Sequence, residues 1–130
     1  MRWRKYTDAD YDVIAPWFVA HGWQQAPHRT ILPPTGFIIE GDDGKILAGA
    51  FLYLTNSPLA FLEWLVTNPE LEIAGFTVLK YLIARVKESA KLIGVHKIMH
   101  LCKPSYARVF QKKLGFVASE SATILFLGVE

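Results

Sequence analysis

One cysteine, Cys102, stands in a chain of 130 residues. It has no partner for an internal disulfide and no Cys/His spacing of a zinc site, which excludes a disulfide-stapled scaffold and a zinc module. Excess charge of one sign is also missing: 14 basic against 12 acidic residues leave a formal net charge of +2. That balance builds no concentrated field for a nucleic-acid backbone. Apolar runs are short, since stretches such as 46–54 and 59–66 fall well below the roughly eighteen residues a membrane helix requires. Met1-Arg2-Trp3-Arg4-Lys5-Tyr6 carries charge with no apolar run behind it, unlike a signal peptide. Repeats and low-complexity segments are lacking too. The expectation is a cytoplasmic domain that binds neither nucleic acid nor membrane.

What is present is apolar surface. With 52% hydrophobic and 13% aromatic residues, the chain has enough to offset the entropy of ordering its backbone. Its length fits one domain, 1–130, around one core.

Arg2 to Tyr6 alternates as a short first strand does. Thr7 with Asp10 three positions on caps a helix whose apolar stripe is Tyr11, Ile14 and Phe18, with Trp17 at its margin, ended by Gly22. Residues 23–34 read as a loop with at most one short helix. Phe37 to Glu40 and Lys45 to Leu54 form a hairpin across Gly41-Asp42-Asp43-Gly44. Ala60 to Thr67 is apolar on both faces, as a strand inside a sheet is. Phe76, Leu79, Leu82, Ile83, Val86 and Ala90 recur at helical spacing opposite Lys80, Arg85, Lys87, Glu88 and Lys91. Gly94 ends that helix. Val95 to Leu101 reads as a strand, and Pro104 opens a last helix capped at Gly115. Val117 and Thr123 to Val129 supply the closing strand material.

Two clusters invite chemistry on residue type alone. Glu63 sits in Phe61-Leu62-Glu63-Trp64-Leu65 on a strand covered on both faces, so burial should raise its pKa. It is either a base or a structural carboxylate paired with Arg or Lys. His96, His100 and Cys102 share a strand face by parity, but i and i+4 on a strand lie roughly 13 Å apart, too far for two ligands of one ion. No metal site is expected.

The element order, with Val66 to Lys80 and Ala107 to Phe116, resembles the Gcn5-related N-acetyltransferases. In that family the fourth strand ends, a proline follows, and a glycine-containing turn opens the long helix that holds a pyrophosphate. The closing helix there ends in Lys-Leu-Gly-Phe, as Lys113-Leu114-Gly115-Phe116 does. The resemblance implies an α/β fold: a mixed, mostly antiparallel central sheet of six to seven strands with helices on both faces. It also implies acetyl-CoA as co-substrate and a small-molecule or peptide amine as acceptor, attacking the thioester directly.

Residue by residue, the resemblance makes Glu63 the base and places Leu65, Val66 and Thr67 along the cofactor arm. The diphosphate loop falls on Glu72-Ile73-Ala74-Gly75-Phe76-Thr77, so Glu72, Ala74, Gly75, Phe76 and Thr77 are its candidates. Only Gly75 matches the family pattern of Gln or Arg, two residues, Gly, one residue, Gly or Ala. Glu72 puts a carboxylate beside phosphates, and Thr77 is β-branched where close approach favours Gly or Ala. Gln111 occupies the position of the family's general-acid Tyr; it donates a hydrogen bond but has no proton to give. Tyr106 is nearby at a different helical angle. Trp23, Gln24, His28, Tyr53 and Asn56 are the candidate acceptor contacts. These departures keep a second reading open: a non-catalytic binding or assembly protein on the same scaffold. It could be a phage virion component, and a homodimer or larger assembly is compatible with either reading.

Overall fold

The computed structural model describes residues 1–120 and 122–129. Five strands make one sheet, in the order β1 (Arg2–Lys5), β2 (Gly36–Glu40), β3 (Ile46–Leu54), β4 (Leu59–Thr67) and β5 (Lys97–Met99). The first four are antiparallel neighbours, and β5 runs parallel to β4. A parallel neighbour needs a crossover connection. Helix α2 (Ala74–Leu92) supplies it.

Strand alternation divides the core between two faces. Phe37, Ile39, Ala50 and Leu52 pack with Val78, Leu82, Ile83 and Val86 of α2. On the other face Ile38, Phe51 and Val66 meet Ile14 and Phe18 of α1 (Tyr11–Ala20). Helix α3 (Pro104–Leu114) opens on its proline and ends at Gly115, whose φ of +78° is the left-handed C-cap that glycine favours.

Asp10 fastens the entry to α1. Its buried carboxylate takes two bonds from the Arg4 guanidinium, at 2.8 and 2.9 Å, and one from the Thr7 amide at 2.8 Å. Arg4, then the Thr7 amide, holds this acid below the usual carboxylate range. The expected Thr7/Asp10 cap is present, but it opens a 3-10 turn over Asp8–Asp10 that runs into α1.

β4 departs from regular alternation. Gly49 faces Val66 and Phe51 faces Glu63, so Ala50 alone stands against Trp64 and Leu65. This is a β-bulge, with Trp64 at φ +56°. Leu62 and Val66 are four apart and would share a face in a regular strand. Instead Leu62 joins the α2-side core and Val66 the α1-side core.

Two expectations need correction. The sheet has five strands, not six to seven, because Val117 and residues 123–129 form no strand. β5 spans three residues rather than the seven of 95–101. Val117, Leu125, Phe126, Leu127 and Val129 accordingly lie exposed.

Candidate active site

β4 and β5 pair only from Leu59 and Lys97 to Phe61 and Met99. Beyond Phe61 they part, and the gap holds a cavity of about 600 Å³. Leu65, Val66 and Thr67 line it from β4, with Tyr106 and Phe110 across from them on α3. A smaller cavity of about 260 Å³ adjoins it at the start of α2, sharing Thr67, Leu79, Tyr106 and Phe110 and adding Glu72, Gly75 and Phe76.

Glu63 lies on the wall of the large cavity, one residue before the bulge. Its Oε1 accepts the Leu101 amide at 2.9 Å. Burial pushes its pKa up to about 7, and that amide bond only partly offsets the effect. The structural alternative required an Arg or Lys partner. None pairs with Glu63 among the described residues; its ionisable neighbour is His100, whose Nδ1 stands 3.9 Å from Oε1. His100 Nδ1 donates at 2.6 Å to the Leu62 carbonyl, and burial lowers the pKa of this imidazole. The imidazole is therefore neutral at pH 7, and Glu63 has no full positive charge to hold it ionised.

Aromatic side chains form the other end of the large cavity. Trp23 and Trp64 both line it, with ring centroids 5.7 Å apart. Trp64 Nε1 donates to the Tyr53 hydroxyl at 2.7 Å, and that hydroxyl donates to the Ile31 carbonyl at 2.9 Å. Trp23 packs edge-on against Phe18, and its amide bonds the Phe18 carbonyl at 3.0 Å. His21 Nε2 bonds the Thr67 carbonyl at 2.8 Å, tying the end of α1 to the end of β4.

At the start of α2, Glu72 has φ +49° and ψ −119°, a backbone state that glycine favours. The Gly75 and Phe76 amides turn inward to the carbonyls of Glu72 and Ile73. Among the described residues, the amides of Ile73 and Ala74 make no hydrogen bond. A Cβ on Gly75 would stand 3.4 Å from Thr67 Oγ1, in van der Waals contact with the end of β4.

The sequence candidates thus separate. Glu63, Leu65, Val66, Thr67 and Trp23 line the large cavity; Glu72, Gly75 and Phe76 line the small one. Ala74, Thr77 and Gln111 are exposed and line neither. His28 is occupied in capping a 3-10 turn through Thr30, and Gln24 and Asn56 are exposed away from both cavities. Tyr53 supports Trp64 instead of lining the wall. Trp64, His21, His100 and Tyr106 were missed as site residues. For Trp64 the readable signal was its place beside Glu63; Tyr106 does stand at a different helical angle from Gln111, and that angle puts it on the cavity walls.

An acyl-CoA fits the residues present in two parts. The gap along β4 is lined largely by apolar side chains, as a pantetheine arm requires, and the amides of Ile73 and Ala74, unpaired among the described residues, lie at the N-terminus of α2, where a diphosphate is favoured. Glu72 is the one feature of opposite sign at that mouth.

No protein-family model matches the sequence, and no curated protein does. Solved structures do match. An acetyltransferase from Trypanosoma brucei is 17% identical, with 97% of this chain and 99% of that one covered at a TM-score of 0.69. An aminoglycoside 6'-N-acetyltransferase from Acinetobacter haemolyticus is 15% identical, with both chains fully covered at 0.69. The N-acetylglutamate synthase of Neisseria gonorrhoeae, complexed with coenzyme A and N-acetyl-glutamate, is 18% identical; 86% of this chain matches 27% of that one at 0.70. The fold is that of the Gcn5-related N-acetyltransferases, with α1 and α2 on opposite faces of a mostly antiparallel sheet.

Proposed function

We propose that this chain is a single-domain N-acetyltransferase, 1–130, using acetyl-CoA and a primary amine that attacks the thioester directly. The observation that carries the reading is Glu63: a carboxylate poised near neutrality, without a cationic partner among the described residues, on the wall of the gap between parting strands. A base poised near working pH is the group this reaction needs.

Leu65, Val66 and Thr67 would hold the cofactor's arm, and the Ile73 and Ala74 amides its diphosphate. When bound, it supplies an acetyl group activated as a thioester. Leu101 fixes Glu63 Oε1, so Oε2 is the atom that takes the proton from the attacking amine. Backbone amides on the free edge of β4 are available to polarise a carbonyl placed in the gap. Tyr106, on the wall of both cavities, carries an O–H that can return a proton to a departing thiolate.

Thermal melting with and without acetyl-CoA tests the cofactor site, since ligand at a hundred times its Kd stabilises by about 2.7 kcal/mol. Free thiol released in the presence of an amine tests the chemistry. A melting point unmoved by millimolar acetyl-CoA overturns the reading.

A further inference from the structure

The charges and rings of the large cavity define what kind of amine it takes. Of its described lining residues, Glu63 is the one carboxylate and Lys103 the one lysine or arginine. A polycationic acceptor would need several carboxylates to offset its desolvation, and a phosphorylated one would need several cations. Neither set is there. What the wall offers beside Glu63 is two indoles, both set in place by the protein itself. Trp64 is held by its bond to Tyr53 and by a bulge that keeps its backbone at φ +56°. Trp23 is held edge-on at 5.7 Å against the fully buried Phe18. A non-glycine residue kept in the left-handed region marks a position that its surroundings over-determine. Here the result is that Trp64 follows Glu63 directly on the cavity wall.

We infer that the acceptor is a monoamine with an aromatic or alkyl body, the body lying on the Trp23 and Trp64 wall and the amino group reaching Glu63. The inference rests on the transferase reading of this cavity. Indole faces attract an ammonium group as well as apolar carbon, so they hold the substrate before its proton is lost. Solvent takes the first proton of the ammonium group. Glu63 Oε2 takes the second as the amine nitrogen forms the new bond to the acetyl carbon, and the carbon–sulfur bond breaks with its electron pair on the thiolate of CoA, which the Tyr106 hydroxyl protonates.

The test uses the full chain with acetyl-CoA and four amines: phenethylamine, butylamine, kanamycin and glucosamine 6-phosphate. Phenethylamine is expected to exceed kanamycin and glucosamine 6-phosphate in kcat/KM by at least roughly tenfold. Trp23→Ala should raise the KM for phenethylamine about tenfold and that for butylamine less, because the smaller body covers less of the indole. Higher kcat/KM for kanamycin or the sugar phosphate, or equal losses for both monoamines in Trp23→Ala, overturns the inference and leaves the transferase reading standing. Calorimetric titration of phenethylamine without acetyl-CoA separates the two ideas. Binding that Trp64→Leu weakens, with no transfer to any amine, supports the amine site and overturns the transferase reading. Transfer to other amines with no phenethylamine binding overturns the amine site alone.

Discussion

The amide of Leu101 reaches across the gap between β4 and β5 to Glu63 Oε1, 2.9 Å away, and is the one backbone donor that Glu63 receives there. One such bond does not offset burial, which is why the acid stays near neutrality. Glu63→Gln preserves the acceptor oxygen and removes the base. Turnover should fall by roughly 10²-fold, with cofactor binding nearly intact. In the wild type, kcat should rise with pH through a limb near 7 as Glu63 ionises, and that limb should be absent from the variant. Steady-state rates across pH 5.5 to 9 check both outcomes.

The same shift fixes a stability prediction. A carboxyl whose folded pKa lies above its unfolded value binds more protons folded than unfolded between the two, so stability falls as pH rises through that window. For Glu63 the window runs from its ordinary value of 4.5 to about 7. Glu63→Gln should therefore be no more stable than the wild type at pH 4.5 and more stable at pH 8, by on the order of 1–3 kcal/mol. Urea titrations at the two pH values measure it. A variant less stable at pH 8 would assign Glu63 to structure.

The apolar stripes of α1 and α2 were legible because they follow a period of 3.6 residues, and the hairpin over 37–54 because Gly41-Asp42-Asp43-Gly44 marks its turn. Glu63 was legible because a carboxylate inside an apolar strand is conspicuous. Trp64 was not, because the bulge that redirects it depends on how Ala50 faces two residues of β4, a pairing that no single strand displays. The closing strand was overestimated for a related reason. Residues 123–129 have strand composition, but a strand also needs a partner edge, and these residues pair with none.

Tyr53 turned out to be a fastener where a substrate contact was expected, and this has a measurable consequence. Tyr53→Phe leaves the Trp64 indole N–H without its acceptor and removes the bond to the Ile31 carbonyl. The expected loss is about 1–2 kcal/mol of stability. The KM for the amine should rise several-fold while the affinity for acetyl-CoA stays unchanged, since Trp64 would no longer be fixed beside Glu63. Denaturant titration and steady-state kinetics read the two effects separately.

The proposed mechanism gives proton return to the leaving thiolate to Tyr106, which lines both cavities, rather than to Gln111, which lines neither. Tyr106→Phe removes the O–H and keeps the ring. It should lower kcat by roughly tenfold, and by more than Gln111→Leu does. An equal effect of the two substitutions would show that solvent supplies the proton.

Glu72 carries the sharpest prediction, because it combines two unfavourable features at one place. Its backbone occupies a state that glycine favours, and the residue belongs to the wall of the small cavity, next in sequence to the Ile73 and Ala74 amides at the start of α2. Glu72→Gln removes the charge and keeps the backbone state. If a diphosphate sits at those amides, the variant should bind CoA several-fold more tightly at low salt, and the gain should shrink as salt rises and screens the repulsion. Glu72→Gly removes the charge and also the strain, so it should match the tighter binding and raise the melting point of the free protein. Calorimetry at two salt concentrations, with melting curves of the three proteins, decides the matter. Equal, salt-insensitive affinities would mean that the carboxylate points away from the phosphates. A raised melting point without tighter binding would leave Glu72 as a strained turn residue with no part in the site.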